Sequence, residues 1–165
     1  MPAPDRLTSL LQEYAASHRH PTNKWIHRVA VPIIAVDMLG LAQAIPLGAI
    51  SPALPSASTL VALAAVLYYL RLSPQLGAVM AAFTVASLWL LEGVAGVLGS
   101  AFVPVLLLVF ALAWAAQFYG HAVEGRRPSF FKDLQFLLVG PLWVLVDCLA
   151  LPAPSPIVRD TEVIA

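Results

Sequence analysis

Between residues 26 and 151 the chain is a series of apolar runs separated by little more than prolines, glycines and serines. No other feature restricts the possible fold as much. A helix needs about 20 mostly apolar residues to cross a bilayer. Five runs come near that length: 26–48, 57–73, 76–98, 101–121 and 130–151. Pro52, Pro55, Pro74, Gly99 and Pro128 mark the breaks, as expected of residues that stop or turn helices. The second run is the shortest. The last carries Lys132 and Asp133 near its start, so it begins at an interface or re-enters from one side.

Composition points the same way. Of the 165 residues 60% are hydrophobic and 11% charged, against roughly 25% charged in soluble domains; mean hydropathy is +0.84. The expectation is an all-α, polytopic membrane helix bundle of about five spans in one domain, residues 1–165, ending in a flexible tail at 152–165. A formal net charge of +0 offers no basic surface for nucleic acid. The single cysteine, Cys148, excludes an intramolecular disulfide and a thiolate metal site, and reads as a small buried hydrophobe. The first 16 residues lack the apolar core and cleavage site of a signal peptide. Leu7, Leu10, Leu11 and Tyr14 recur instead at helical spacing, with Asp5, Arg6, Gln12 and Glu13 elsewhere. Segment 1–20 therefore reads as an amphipathic helix lying on the membrane surface.

Loop charges suggest an orientation. Arg6, Arg19, Lys24 and Arg28 lie before or at the start of the first run, Arg71 at the end of the second, and Arg126, Arg127 and Lys132 after the fourth; the intervening loops have neither Lys nor Arg. The positive-inside rule puts the amino terminus, the Arg71 turn and the 122–130 loop in the cytoplasm of a bacterial inner-membrane protein. All four histidines, His18, His20, His27 and His121, then share one membrane face, although about a hundred residues separate the last from the others.

Spacing groups these histidines with other polar residues. Gln117, His121 and Glu124 fall at i, i+4, i+7 on one helical face, and Asn23 and His27 at i, i+4 on another. His18 enters from the segment before Pro21, which suits the first turn of a helix. Nitrogen and oxygen donors without thiolate suit iron, zinc or manganese. One histidine at a helix end is ordinarily an interfacial polar group, and His20 fits an N-cap or a solvated site. Arg126 and Arg127 read either as positive-inside residues or as a clamp for an anionic head group. Asp37, Glu92 and Asp147 lie within apolar runs and should face the bundle interior.

Two blocks resemble a known family. "YAASHRHPTNKWIHRVAVP" and "QFYGHAVEGRRPSFFKDLQFLLVGPLW" are similar to the two conserved blocks of the fungal 2-hydroxy fatty acid dioxygenase of phytosphingosine degradation and its bacterial membrane relatives. The resemblance runs from about Leu10 to Leu149, the middle helices matching in hydrophobicity and in "YYLRLSP"; Ala30 stands where relatives often carry glycine. It implies a non-haem Fe(II) enzyme that uses O₂ to convert a membrane-dissolved 2-hydroxy fatty acid to the acid one carbon shorter, releasing CO₂. Carried over by position it assigns His18, His27 and His121 to the metal; Glu124 and His20 stand as further candidates from the residues themselves, His20 at a place where relatives vary. Asn23 and Gln117 would orient the imidazoles, and Arg126 and Arg127 would hold the substrate carboxylate. An oligomer is compatible with this reading. Two others stand beside it: a haem electron-transfer protein with His27 and His121 as axial ligands, and a small transporter or scaffold built around Asp37, Glu92 and Asp147.

Overall fold

The computed structural model describes residues 6–51, 53–127 and 135–149. Among the described residues the regular structure is helical: α1 (Arg6–Ala16), α2 (Pro21–Gln43), α3 (Ala57–Leu72), α4 (Pro74–Leu98), α5 (Phe102–Glu124) and α6 (Phe136–Cys148). Each boundary has a local cause. α2 begins five residues before the first apolar run because Pro21 occupies its first turn, where a missing N–H costs nothing. It stops before Ile45, whose following proline disfavours helical geometry. Ser73 ends α3 and caps α4, its hydroxyl accepting from the Leu76 N–H at 3.4 Å. Gly99, at φ 53°, separates α4 from α5, and Gly125, at φ 70°, ends α5 three residues beyond the apolar run.

Among the described residues two stretches are long and apolar enough to cross a membrane, α2 and Pro74–Glu124, the latter comprising α4 and α5. α3 and α6 are apolar but shorter, at 16 and 13 residues. At 1.5 Å per residue α6 covers about 20 Å, short of a hydrocarbon core of about 30 Å. Its neighbours explain its role. Phe136, Val139, Leu142, Trp143, Val144 and Val146 are all buried, against α1 on one side and Val31, Tyr69, Leu76 and Met80 on the other. The Tyr69 hydroxyl donates to the Leu138 carbonyl at 2.8 Å, and the Arg28 guanidinium meets Asp147 at 2.9 Å. α6 is a core helix. Its final residue corrects one expectation: Cys148 is exposed at the helix end.

α1 forms where its periodicity places it, but its apolar face meets protein. Leu7, Leu10, Leu11 and Tyr14 are buried in the cluster that α6 completes. The stripe that would have lain on lipid is used to cover α6. Apolar surface points outward elsewhere, at Trp89 (82% exposed) and Val97 (85% exposed) of α4 and at Leu107, Leu108 and Leu112 of α5. A continuous apolar exterior of this kind marks a membrane or a partner surface. The 128–134 segment, with Lys132 and Asp133, and the 150–165 tail lie outside the described residues.

The α3–α4 hairpin depends on close approach at Gly77. A Cβ there would lie 2.7 Å from the Leu70 Cα and 2.8 Å from its backbone N, so a methyl group must push the helices apart. Gly77→Ala is expected to lower stability by about 1–3 kcal/mol, the usual range for overpacking. Gly96→Ala, where a Cβ meets open space, should be neutral or slightly stabilising. Thermal unfolding of both variants in one detergent checks the order.

Candidate metal centre

Three buried histidines converge from three parts of the chain. His18 leaves the elbow between α1 and α2, His27 lies in the second turn of α2, and His121 is on the last turn of α5. Their ring centroids are 4.3 Å (His18–His27), 5.0 Å (His18–His121) and 4.8 Å (His27–His121) apart, each pair edge to face. One ring nitrogen from each lies within 4.8 Å of the other two.

Backbone carbonyls set the two amino-terminal rings. The Tyr14 carbonyl accepts from His18 Nδ1 at 2.6 Å, and the Asn23 carbonyl accepts from His27 Nδ1 at 3.0 Å. Both are i−4 carbonyls: Tyr14 is near the carboxyl end of α1, where carbonyls lack intrahelical partners, and Asn23 is in the first turn of α2, its carbonyl oxygen having a second lone pair to offer. A carbonyl cannot donate, so each Nδ1 carries the proton and each Nε2 carries a lone pair. Those two Nε2 atoms and His121 Nδ1 are buried and have no hydrogen-bond partner among the described residues. Native proteins rarely leave buried nitrogens unsatisfied. Three imidazole nitrogens gathered within 4.8 Å of one another, with no acid in the group, have the donor chemistry of a divalent transition metal, and the carbonyl bonds behind His18 and His27 are the support that metal-ligating histidines receive. The fit to a metal is good.

Aromatic rings pack behind His18. Tyr14 stacks on it at 4.2 Å with an interplanar angle of 11°, and Trp143 lies 5.6 Å away. Burial and then the neighbouring His27 ring push the His18 imidazole down to about 3, against the Tyr14 bond that raises it. It is a neutral donor at physiological pH.

The remaining candidates lie around this cluster. His20 is the exposed N-cap of α2, its Nδ1 accepting from the Thr22 N–H at 3.2 Å. Glu124 stands outside the ligand group. Its carboxylate accepts from the Arg19 N–H at 3.0 and 3.1 Å, the His20 N–H at 2.8 Å and Asn23 Nδ2 at 3.1 Å. Asn23 is fully buried; its Nδ2 also donates to the Ser17 carbonyl, and its Oδ1 packs where a Cβ on Gly120 would fall. The Asn23 side chain thus ties α2 to the elbow and to α5, while its backbone orients His27. Gln117 is buried one turn before His121 and lines the cavity beside the rings. Arg126 donates to the Ala16 carbonyl at 3.0 Å, stabilising the end of α1, and Arg127 is exposed; neither lines the cavity.

Two alternatives lose their geometry. The three rings stand against one another, so a macrocycle has no gap between His27 and His121. The acids share no polar core: Asp147 pairs with Arg28, exposed Glu92 accepts from Gln43 at 3.2 Å, and Asp37 is buried elsewhere along α2. Sequence spacing missed Tyr14 and Trp143 as parts of the site. Tyr14 stands four residues before His18, a usable signal only if α1 is carried on into the elbow; nothing local marks Trp143.

Residues 5–150 match the family model described as 2-hydroxy-palmitic acid dioxygenase Mpo1-like. The chain belongs to that family. No curated protein and no solved structure matches it. Both blocks that carried the sequence resemblance lie inside the matched range.

Alanine at His18, His27 or His121 is expected to reduce metal occupancy strongly, since two donors hold a metal far less well than three. His20→Ala should change it little. Glu124→Ala should lower occupancy and thermal stability together by loosening the elbow. Metal analysis of purified variants checks this; loss of metal from His20→Ala with retention in His18→Ala would reverse the assignment.

A pH dependence follows as well. Unfolded His18 titrates near 6.5 and folded His18 near 3. Between those values the unfolded chain binds the extra proton, so acidification favours unfolding. The His18 contribution is complete above about pH 6.5 and is lost as pH falls toward 3. Melting of metal-free wild type against His18→Asn should show the wild-type slope flattened in the variant.

Proposed function

We propose that the protein is an iron(II)-dependent membrane dioxygenase that shortens 2-hydroxy fatty acids by one carbon. The observation carrying this reading is the set of three buried, partnerless imidazole nitrogens in a chain of the 2-hydroxy-palmitic acid dioxygenase Mpo1-like family. Bound iron(II) would supply the redox centre at which O₂ and the hydroxy acid react, three protein nitrogens leaving positions open for both.

The chain's own residues do the rest. His18, His27 and His121 supply neutral donors, so a negatively charged 2-hydroxy acid meets no carboxylate in the ligand set. The Tyr14 and Asn23 carbonyls keep two of the rings from rotating. Tyr14 and Trp143, packed against His18, exclude water from that side. Glu124 and Asn23 hold the elbow that delivers His18. The reaction RCH(OH)COOH + O₂ → RCOOH + CO₂ + H₂O balances without an added reductant, and no nucleotide-binding glycine loop occurs in the chain. The outward apolar faces of α4 and α5 favour an integral membrane protein, one domain from end to end. The Lys and Arg distribution favours the histidine end facing the cytoplasm.

Protein loaded anaerobically with iron(II) and then given O₂ should convert a long-chain 2-hydroxy fatty acid to the acid one carbon shorter, with no reductant. The parent fatty acid without its 2-hydroxyl should be inert, and His121→Ala should abolish turnover. Mass spectrometry of the product after ¹⁸O₂ labelling checks the outcome. Iron-loaded protein that shortens no hydroxy acid across a range of chain lengths would remove this activity.

A further inference from the structure

The space over the three imidazoles opens at one side. The space in it that a water-sized body can enter is about 40 Å³, and the whole concavity, solvent at its mouth included, is about 470 Å³. An acyl chain does not fit within 40 Å³, so a lipid with its head at the histidines must run out along the open side of the concavity. The concavity has two chemically distinct ends. Tyr14, Gln117 and the histidines form the polar end; beyond them the wall of α2 is Val31, Ile34, Ala35 and Met38. From His27 to Met38 is about 16 Å along the helix. Among the described residues, no Lys, Arg, Asp or Glu lines it.

One direction for a chain is obstructed. At the polar end α6 is in close contact with its neighbours: a Cβ on Gly140 would lie 2.9 Å from the Tyr14 hydroxyl and 3.4 Å from Val31 Cγ1. Passage toward α1 is therefore closed. Along α2 the wall becomes accessible, with Ile34 buried, Ala35 partly exposed and Met38 43% exposed. Ala35 is the smallest side chain on that wall. Met38 sits deep in a helix long and apolar enough to span a membrane, so the mouth faces sideways.

We infer that the acyl chain of the substrate lies in this groove between α2 and α6, entering laterally past Met38, and that Ala35 determines which chain lengths fit. The inference rests on the reaction proposed above. A long chain occupies the whole wall and leaves by the mouth; a short one ends before Ala35. Bulk at position 35 therefore discriminates against long chains alone, without touching the metal ligands.

The experiment has two arms on the metal-loaded protein. In the first, turnover of a long-chain and a short-chain 2-hydroxy acid is compared in wild type, Ala35→Trp and Met38→Trp, with metal content measured for each. The long-to-short ratio should fall by about tenfold or more in Ala35→Trp, the scale of discrimination by pocket shape, with metal content unchanged. Met38→Trp, at an exposed site that tolerates bulk, should lower the same ratio less. In the second arm, a long-chain 2-hydroxy acid bearing a mid-chain diazirine is photolysed with wild type, and the labelled peptides are mapped. Label should fall on residues 31–38 or on the facing part of α6, and should be reduced in Ala35→Trp. Metal-loaded variants with an unchanged ratio, or label on the outer faces of α4 and α5, would overturn the inference. Wild type that turns over neither acid would defeat the proposed reaction, and the labelling arm would then decide the groove by itself.

Discussion

The site depends on one carboxylate. Glu124, at the last position of α5, accepts from two backbone N–H groups and one side-chain amide of the elbow and first turn of α2. Hydrogen bonds to an ionised acceptor are the stronger kind, and here they join residues more than a hundred positions apart. The elbow between α1 and α2 is four residues long; its first two, Ser17 and His18, are held by bonds back to α1 and from Asn23, while the next two, Arg19 and His20, face solvent and are tied down by this carboxylate. With the Arg19 and His20 amides fixed on α5, His18 falls against His27 and His121. The carboxylate also lies at the start of α2, where negative charge is favoured by the helix dipole. A residue read from spacing as a candidate ligand thus acts one step further out, determining where a ligand goes.

Much of this architecture is legible in the sequence, and the parts that are not share a cause. The apolar runs mark α2 to α5 because each run is bounded by Pro, Gly or Ser with local conformational effects. The pairing of His27 with Asn23 and of His121 with Gln117 is visible because helical periodicity is local. What a face packs against is not local. The stripe Leu7, Leu10, Leu11 and Tyr14 is equally suited to lipid and to α6, and only the position of α6 inside the bundle chooses between them. α6 itself reads as a span by hydropathy, since a buried core helix and a membrane helix have the same composition. Arg126 is a similar case. Its charge suits an anionic ligand, yet it ends on the Ala16 carbonyl, a partner that no pattern in its own neighbourhood announces.

Burying the three histidines without partners has an energetic consequence. A buried polar group left without a hydrogen bond costs about 1–3 kcal/mol. Three such nitrogens would cost about 3–9 kcal/mol if nothing bound them, a large share of the roughly 5–15 kcal/mol net stability of a typical domain. The interactions that hold the rings in place are the stacking of Tyr14 on His18, the bonds from Asn23 Nδ2 to the Ser17 carbonyl and to Glu124, and the grip of Glu124 on the elbow. Metal binding to such a preformed, unsatisfied set contributes directly to folding free energy.

The same tightness separates the functions of the two ends of the cavity. At the polar end the walls are fixed by backbone contacts, the carbonyls of Tyr14 and Asn23 and the close approach of Gly140 to Tyr14. Donor positions there are held to within the small tolerances that metal chemistry requires. At the apolar end the wall consists of side chains on one face of α2, partly exposed and without hydrogen bonds to lose. Such a wall accepts changes in bulk with little effect on the ligands two or three turns away, since distant sites with no shared partners behave nearly independently. On the reaction proposed above, a chain built this way would keep one reaction centre while the length of its substrate is adjusted along α2.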